Sequence, residues 1–368
     1  MHSLKPEIIS VPLQQNSYPI WIQKGIRKSI GELLKPIKNN QKWIIASPTP
    51  VLNLYGNEIF EILNQFGFKT KILEIDDGEK VKSFHHYKKY SKKLIDLGCN
   101  RDSILIALGG GVTGDLCGFI ASTLFRGIPY YQIPTTLLSM VDSSIGGKTA
   151  INLKEGKNLI GTFHHPNAVI IDPEFLRSLP EKEIYSGLGE IIKYGFIKNP
   201  VIFEIFQKLN FSKLDIQSKT IEQLIILSAE VKAYIVSKDT SEKNLRKILN
   251  FGHTTGHIIE AFTKYSHISH GEAISYGMMV SLIISQKYFK LPRAEMVNSI
   301  NILKKLCRTN IPYIPKEKFY KFLFKDKKIK SKKINFILIN NIGKPIIRDD
   351  VTPEIIYDSY NSLLNNLF

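Results

Sequence analysis

The residues best suited to chemistry lie in the second half of the chain. In Leu249-Asn-Phe-Gly-His-Thr-Thr-Gly-His257, His253 and His257 stand four positions apart and so share one face of a helix. His270 follows, with Glu272 two residues later, and upstream Glu190-Ile-Ile-Lys193 sets a carboxylate and an ammonium on a common face. A catalytic zinc takes three protein ligands, His and Glu among them, and keeps a fourth position open. Spacing alone therefore nominates His253 and His257 as two ligands, with a third from His270 or Glu190. Hydrogen-bonded histidines of the core or surface would show the same spacing without a metal.

A second constellation lies in the first half. Leu108-Gly-Gly-Gly-Val-Thr-Gly-Asp115 carries Gly109-x-Gly111-x-x-Gly114 between a strand-like run and a helix-like one. Such glycines admit a pyrophosphate to the backbone, and the helix N-terminus supplies N–H donors. No acidic residue stands about 20 positions on to hold a ribose, so the ordinary Rossmann arrangement is disfavoured and a tight structural turn competes with dinucleotide binding. Gly146-Gly-Lys148-Thr149 imitates the end of a phosphate loop, but Asp142 occupies the position of its first Gly. What remains there is an acid–lysine pair in a glycine-flanked polar segment. The adjacent pairs His85-His86 and His164-His165 point in different directions on any regular element and read as structural.

These groups must be held by a scaffold, and the pattern describes one. Short Ile-rich runs at 7–12, 19–23, 43–47, 69–75, 103–108, 130–133 and 168–171 predict strands. Helical periods at 52–66 and 84–97 end at Gly67 and Gly98. The alternation predicts a mainly parallel sheet flanked by helices. After Asp172-Pro173 the texture becomes amphipathic and helical, at 182–197, 221–237, 245–262, 272–289 and 294–307. The expected architecture is thus an α/β domain over 1–175 with Rossmann-like nucleotide binding, followed by a mostly α-helical domain over 176–368.

Composition narrows the function classes. Of 368 residues, 43% are hydrophobic and 23% charged, as in ordinary globular proteins. No run reaches the roughly 18 uncharged apolar residues that a membrane helix needs, and the N-terminal Met1-His-Ser-Leu-Lys-Pro-Glu lacks the apolar core of a signal peptide. A cytoplasmic protein without a membrane partner is expected. Cys99, Cys117 and Cys307 form no CxxC pair and read as buried thiols of a reducing compartment. The net charge of +17 comes from lysines scattered among Ile and Asn, without a nucleic-acid-binding signature, so no nucleic-acid partner is expected. A basic cleft would instead concentrate an anionic small substrate.

Taken in order, the motifs resemble the 3-dehydroquinate synthase family over about residues 78–350. They are Gly78-Glu-Lys-Val-Lys82, Ala107-Leu-Gly-Gly-Gly-Val-Thr-Gly-Asp115, Arg126-Gly-Ile, Ile133-Pro-Thr-Thr136, Val141-Asp-Ser-Ser-Ile-Gly-Gly-Lys-Thr149 and Gly156-Lys-Asn158. Ser186-Gly-Leu-Gly-Glu-Ile-Ile-Lys-Tyr-Gly195, Leu245-Arg246, Leu249-Asn-Phe-Gly-His253, His257, His270-Gly-Glu272 and Asp326-Lys-Lys328 complete the series. The pattern departs at Pro48, where relatives often carry a polar residue near the cofactor.

The resemblance implies roles that differ from those read by spacing. It makes Glu190, His253 and His270 the ligands of Zn2+, for which Co2+ can substitute, and gives His257 to the substrate. NAD would be bound by Glu79, Lys82, Gly110, Gly111, Val112, Asp115, Thr135, Thr136, Asp142, Lys148, Lys157, Phe175, Ser178 and Leu179. Arg126, Asp142, Lys148, Asn158, Lys193, Lys232, Arg246, Asn250, His257 and Lys328 would surround the substrate, with Lys148, Lys193, Glu242, Asn250 and His257 serving catalysis. Arg126 would reach the neighbouring subunit's site, which implies a homodimer.

The implied substrate is 3-deoxy-D-arabino-heptulosonate 7-phosphate, whose carboxylate and phosphate suit Lys and Arg. Transient oxidation at C5 acidifies the C6 proton, and the substrate's own phosphate is a candidate to accept that proton. Phosphate leaves, the hydride returns, the ring opens and an intramolecular aldol closes the carbocycle of 3-dehydroquinate. The nearest alternative is another sugar-phosphate cyclase, such as a 2-deoxy-scyllo-inosose synthase; Lys232, Arg246 and Asn250 favour the keto-acid substrate. Related metal-dependent alcohol and glycerol-1-phosphate dehydrogenases would produce net NADH.

Overall fold

Strand β5 (Ile104–Gly109) has all six residues buried, as a strand covered by helices on both faces must. It lies within a seven-stranded sheet whose other members are β1 (Glu7–Val11), β2 (Tyr18–Ile22), β3 (Lys42–Pro48), β4 (Lys69–Ile75), β6 (Tyr130–Pro134) and β9 (Ala168–Ile171). The order is β1-β2-β9-β6-β5-β3-β4, with only the β1–β2 pair antiparallel. All seven strands were expected from the sequence at nearly these bounds. The computed structural model describes residues 6–14, 16–34, 41–264, 267–324, 329–330 and 333–367. Lys328, expected near the substrate, lies outside them.

Two compact units emerge. The first comprises Met1–Leu179 and Ile216–Ser241, the second Pro180–Asp215 and Glu242–Phe368. The helix Lys219–Lys238 thus packs with the α/β unit, against β1; helical period alone does not reveal which core a helix joins. The glycine-flanked polar segment after Val141 leads into an antiparallel hairpin, β7 (Lys148–Leu153) and β8 (Gly156–Phe163), which the sequence pattern did not predict. At the end of β9 the fully buried Asp172 accepts hydrogen bonds from Gly25 N (2.8 Å) and Glu174 N (2.9 Å) and pairs with Arg27 (2.8 Å). This fixes the chain where it leaves the sheet.

The second unit is built around the helix His270–Phe289, buried continuously from Gly271 to Ser285. A helix buried all round is a core element. It begins two residues earlier than its hydrophobic period suggests, because Ser269 and Glu272 form a capping box. The expected helix over 245–262 is in fact two pieces, a 3-10 turn Leu245–Asn250 and a helix His253–Phe262. Gly252, at φ 79°, breaks them. Among the described residues a β-hairpin, Phe336–Asn341 with Lys344–Arg348, also belongs to this unit and gave no clear signal in the sequence.

Backbone meets backbone along the central helix. A Cβ on Gly277 would stand 1.8 Å from the Gly252 carbonyl oxygen, and one on Gly271 would stand 2.1 Å from that of Ser186. These contacts seat the His270 helix directly against the helices Glu181–Ile197 and His253–Phe262.

Two outcomes follow from this packing. A Gly→Ala change inside a helix ordinarily gains up to about 1 kcal/mol. Gly277→Ala should instead lower unfolding free energy by about 1–3 kcal/mol in urea titrations, as overpacked cores do. Burial pushes the Cys117 thiol, and that of half-buried Cys307, up to about 12, and raises Cys99 as well. The folded protein should therefore react slowly with a disulfide reagent at pH 8, and three thiols should appear in guanidinium.

Candidate metal and nucleotide sites

In the second unit, Glu190 sits mid-helix in Glu181–Ile197, while His253 and His270 are the first residues of their own helices. The close helix packing brings the three together: His270 Nε2 lies 3.1 Å and His253 Nε2 3.3 Å from Glu190 Oε1. One donor atom from each falls within 4.8 Å of the others. Two imidazole nitrogens and a carboxylate oxygen make a donor set suited to zinc and related divalent ions, one short of zinc's usual four. His257 is outside this group, its ring 5.5 Å from that of His253 and nearly perpendicular to it. The four-residue spacing that nominated it was a local signal, whereas the third donor arrives from a different helix.

Each donor has its own partner. Lys193 pairs with Glu190 Oε2 one turn along the helix. His253 Nδ1 lies 3.2 Å from the Phe251 carbonyl oxygen, to which it can only donate. His270 Nδ1 lies 3.3 Å from Glu260 Oε1. The two imidazoles consequently differ. Burial pushes His253 down to about 4, against the pull of Glu190. Burial also opposes a charge on His270, but the carboxylates of Glu260 and Glu190 outweigh it and raise His270 to about 10. Although burial alone would raise Glu190, Lys193 and the two histidines hold its carboxyl well below the usual range. Glu260 was not singled out from the sequence. Its one signal is its place seven residues after His253, two turns along the same face.

Other expected residues of this unit lie near one another in sequence and structure. Asn250 Nδ2 donates to Glu242 Oε1 at 3.1 Å, and Glu242 holds a left-handed backbone, φ 57°. Such a conformation is costly for a side chain with a Cβ and is sustained by its surroundings. Arg246 is 1% exposed and Lys193 equally buried.

In the first unit, some of the expected nucleotide residues lie at the C-terminal end of β5. The Gly109 turn passes into the helix Gly111–Thr123, whose N-terminus no side chain caps. Its first N–H groups and dipole are available to an anion, and the Thr135 N–H bonds the Gly109 carbonyl at 3.0 Å. Lys82, 4% exposed, reaches Asp115 Oδ2 at 2.6 Å and also bonds Asn158. Asn152, unmarked in the sequence, donates to Glu79 at 2.7 Å and accepts from the Asn158 N–H at 2.8 Å. Glu79, Lys82, Asp115 and Asn158 thus form one connected cluster, tied to the β7–β8 hairpin. Asp142 and Lys232 pair at 2.5 Å. Phe175 packs edge-on to Tyr55, and Ser178 shares a hydrogen bond of 2.7 Å with the Tyr55 hydroxyl. Lys148 and Lys157 are exposed on β7 and β8, and Arg126 is exposed in the turn after the Gly111 helix.

The family model described as 3-dehydroquinate synthase N-terminal matches residues 72–186, and that described as 3-dehydroquinate synthase C-terminal matches 187–329. A 3-dehydroquinate synthase of Prochlorococcus marinus (strain MIT 9515) is 42% identical over 348 residues, covering 93% of this chain and 96% of the relative. Among solved structures, the 2-epi-5-epi-valiolone synthase of Streptomyces hygroscopicus subsp. jinggangensis 5008, with NAD+ and Zn2+ bound, superposes with a TM-score of 0.87 at 24% identity. It covers 96% of this chain and 99% of its own. A 2-deoxy-scyllo-inosose synthase complexed with carbaglucose-6-phosphate, NAD+ and Co2+ gives 0.84 at 24%, with the same coverage. The structural likenesses establish the fold, and the two family models with the close relative establish more: this chain belongs to the 3-dehydroquinate synthase family.

Proposed function

We propose that the chain converts 3-deoxy-D-arabino-heptulosonate 7-phosphate into 3-dehydroquinate and phosphate, a lyase step toward aromatic amino acids. The observation that carries this reading is the convergence of Glu190, His253 and His270 in a chain that follows a 3-dehydroquinate synthase over nearly its whole length. The three residues would hold zinc or cobalt, and the Gly109 turn with the Lys82 cluster would hold NAD. When bound, the metal supplies Lewis acidity toward a substrate hydroxyl, and NAD accepts and returns one hydride, so no nicotinamide is consumed.

The chain's own residues account for the rest. Lys193 keeps the Glu190 carboxylate ionised and so able to donate an electron pair. Arg246, buried, is suited to the substrate carboxylate, because a guanidinium gains most from an anion where water is scarce. Lys232 joins Arg246 toward the carboxylate, while Lys148, Asn158 and Asp142 serve the phosphate and hydroxyls in this reading. His257, half-buried, and Asn250, steadied by Glu242, are assigned to orienting the substrate and moving protons at its oxygens. Lys82 and Glu79 would lie near a ribose of NAD, and Thr135, Thr136 and Leu179 near its adenine half.

The reading also includes a homodimer in which Arg126 enters the neighbouring site. In support, Phe125 and Arg126 both adopt left-handed backbone, φ 53° and 70°, and Arg126 is exposed. Two consecutive residues of this kind are strained, and strain of this sort clusters at functional sites.

Phosphate release from the seven-carbon keto-acid phosphate, with zinc and catalytic NAD, tests the function. Equimolar phosphate and 3-dehydroquinate without lasting NADH is the expected result. Release only from a hexose 6-phosphate would transfer the chain to the 2-deoxy-scyllo-inosose type, and net NADH from an alcohol would point to a dehydrogenase. His270→Ala should lose stoichiometric zinc and phosphate release while keeping its circular dichroism spectrum; unchanged zinc content would refute the ligand set. Arg126→Ala should lower kcat/KM about ten- to a hundredfold, the worth of a hydrogen bond to a charged group, without shifting a dimeric sedimentation coefficient. A monomer at micromolar concentration would overturn the shared-site reading.

A further inference from the structure

We propose that Glu260 is a positioning residue for the metal centre: it takes the Nδ1–H of His270 and thereby fixes the imidazole with Nε2 toward Glu190 and His253. The proposal rests on reading those three residues as metal ligands. An imidazole offers two nitrogens, and a ligand histidine is useful only when one of them is committed elsewhere. His270 has a carboxylate on each side, Glu260 Oε1 at 3.3 Å from Nδ1 and Glu190 Oε1 at 3.1 Å from Nε2. With Nε2 committed to a metal, the Glu260 contact at Nδ1 would be the hydrogen bond that fixes the tautomer and steadies the ring. The Glu260 side chain is 10% exposed, so water competes weakly for that hydrogen bond.

The helix His253–Phe262 carries two parts of this arrangement. His253 and Glu260 are seven residues apart on it and therefore share a face. One element thus supplies a ligand and also orients a second ligand that comes from another helix. The two histidines are held by different chemistry. His253 Nδ1 meets the neutral Phe251 carbonyl, whereas His270 Nδ1 meets an anion. A carboxylate partner makes the opposite nitrogen a stronger donor. It also returns negative charge to a donor set in which Lys193 offsets Glu190.

The test uses the full-length chain, freed of metal and titrated with Co2+ against a chelator of known affinity. Wild type is compared with Glu260→Gln, Glu260→Ala and His270→Ala, and the Co2+ absorption spectrum and apo-protein melting are recorded for each. The expected result is a Co2+ dissociation constant raised about tenfold in Glu260→Gln, which keeps an acceptor but not the charge. In Glu260→Ala it should rise toward a hundredfold. Both variants should show an altered visible spectrum, with the apo melting temperature of Glu260→Gln unchanged. Should Glu260→Ala fail to fold, the Gln variant carries the test. Wild-type affinity and spectrum in Glu260→Gln would overturn the proposal, as would a loss of affinity that merely tracks a loss of apo stability. A wild-type affinity in His270→Ala, or a wild-type chain that binds no Co2+, would instead remove the metal centre and the proposal with it.

Discussion

The second unit depends on how closely its helices can approach. Where Gly271 meets the Ser186 carbonyl and Gly277 meets that of Gly252, there is no space for a methyl group. Helices packed through ordinary side chains lie about 8–10 Å apart. The three donor-bearing side chains are short, and Glu190, His253 and His270 start from three different helices. Their donor atoms meet within 4.8 Å because the backbones have already closed most of the distance. The cost of glycine inside a helix, up to about 1 kcal/mol each, is the lesser term beside the overlap that a larger residue would create.

Electrostatics then distinguishes groups that sequence treats alike. A carboxylate removed from water is costly unless it is paired, and Glu190, 1% exposed, is paired with Lys193 one turn away. The two histidines share Glu190 but not their other neighbours, so burial governs His253 while carboxylates govern His270. The first unit applies the same rule at Lys82, whose buried ammonium is satisfied by Asp115 and Asn158. In each unit a buried lysine lies against a carboxylate partner, Lys193 against Glu190 and Lys82 against Asp115.

Much of the scaffold was legible because it is encoded locally. The buried strands read as Ile-rich runs, the helices end at Gly67 and Gly98, and the Gly109 turn lies between strand and helix, as its spacing predicts. The Ser269–Glu272 capping box was present in the letters as well and explains the start of the His270 helix. What local pattern misjudged was the break at Gly252, the β7–β8 hairpin and the allegiance of the helix Lys219–Lys238. Each depends on a partner far away in the chain.

The candidate centre divides in the same way. By type and spacing the chain determined that histidines and carboxylates of its second half were suited to a divalent ion, and its ordered motifs identified the family. Spacing could not choose among His253, His257, His270 and Glu190, since residues four apart on one helix look paired whatever lies opposite them. The family resemblance points to Glu190, His253 and His270, and tertiary structure brings these three together and adds Glu260 behind His270, through contacts 80 and 10 residues apart in the chain. Those contacts exist only once the glycine-lined backbones have met.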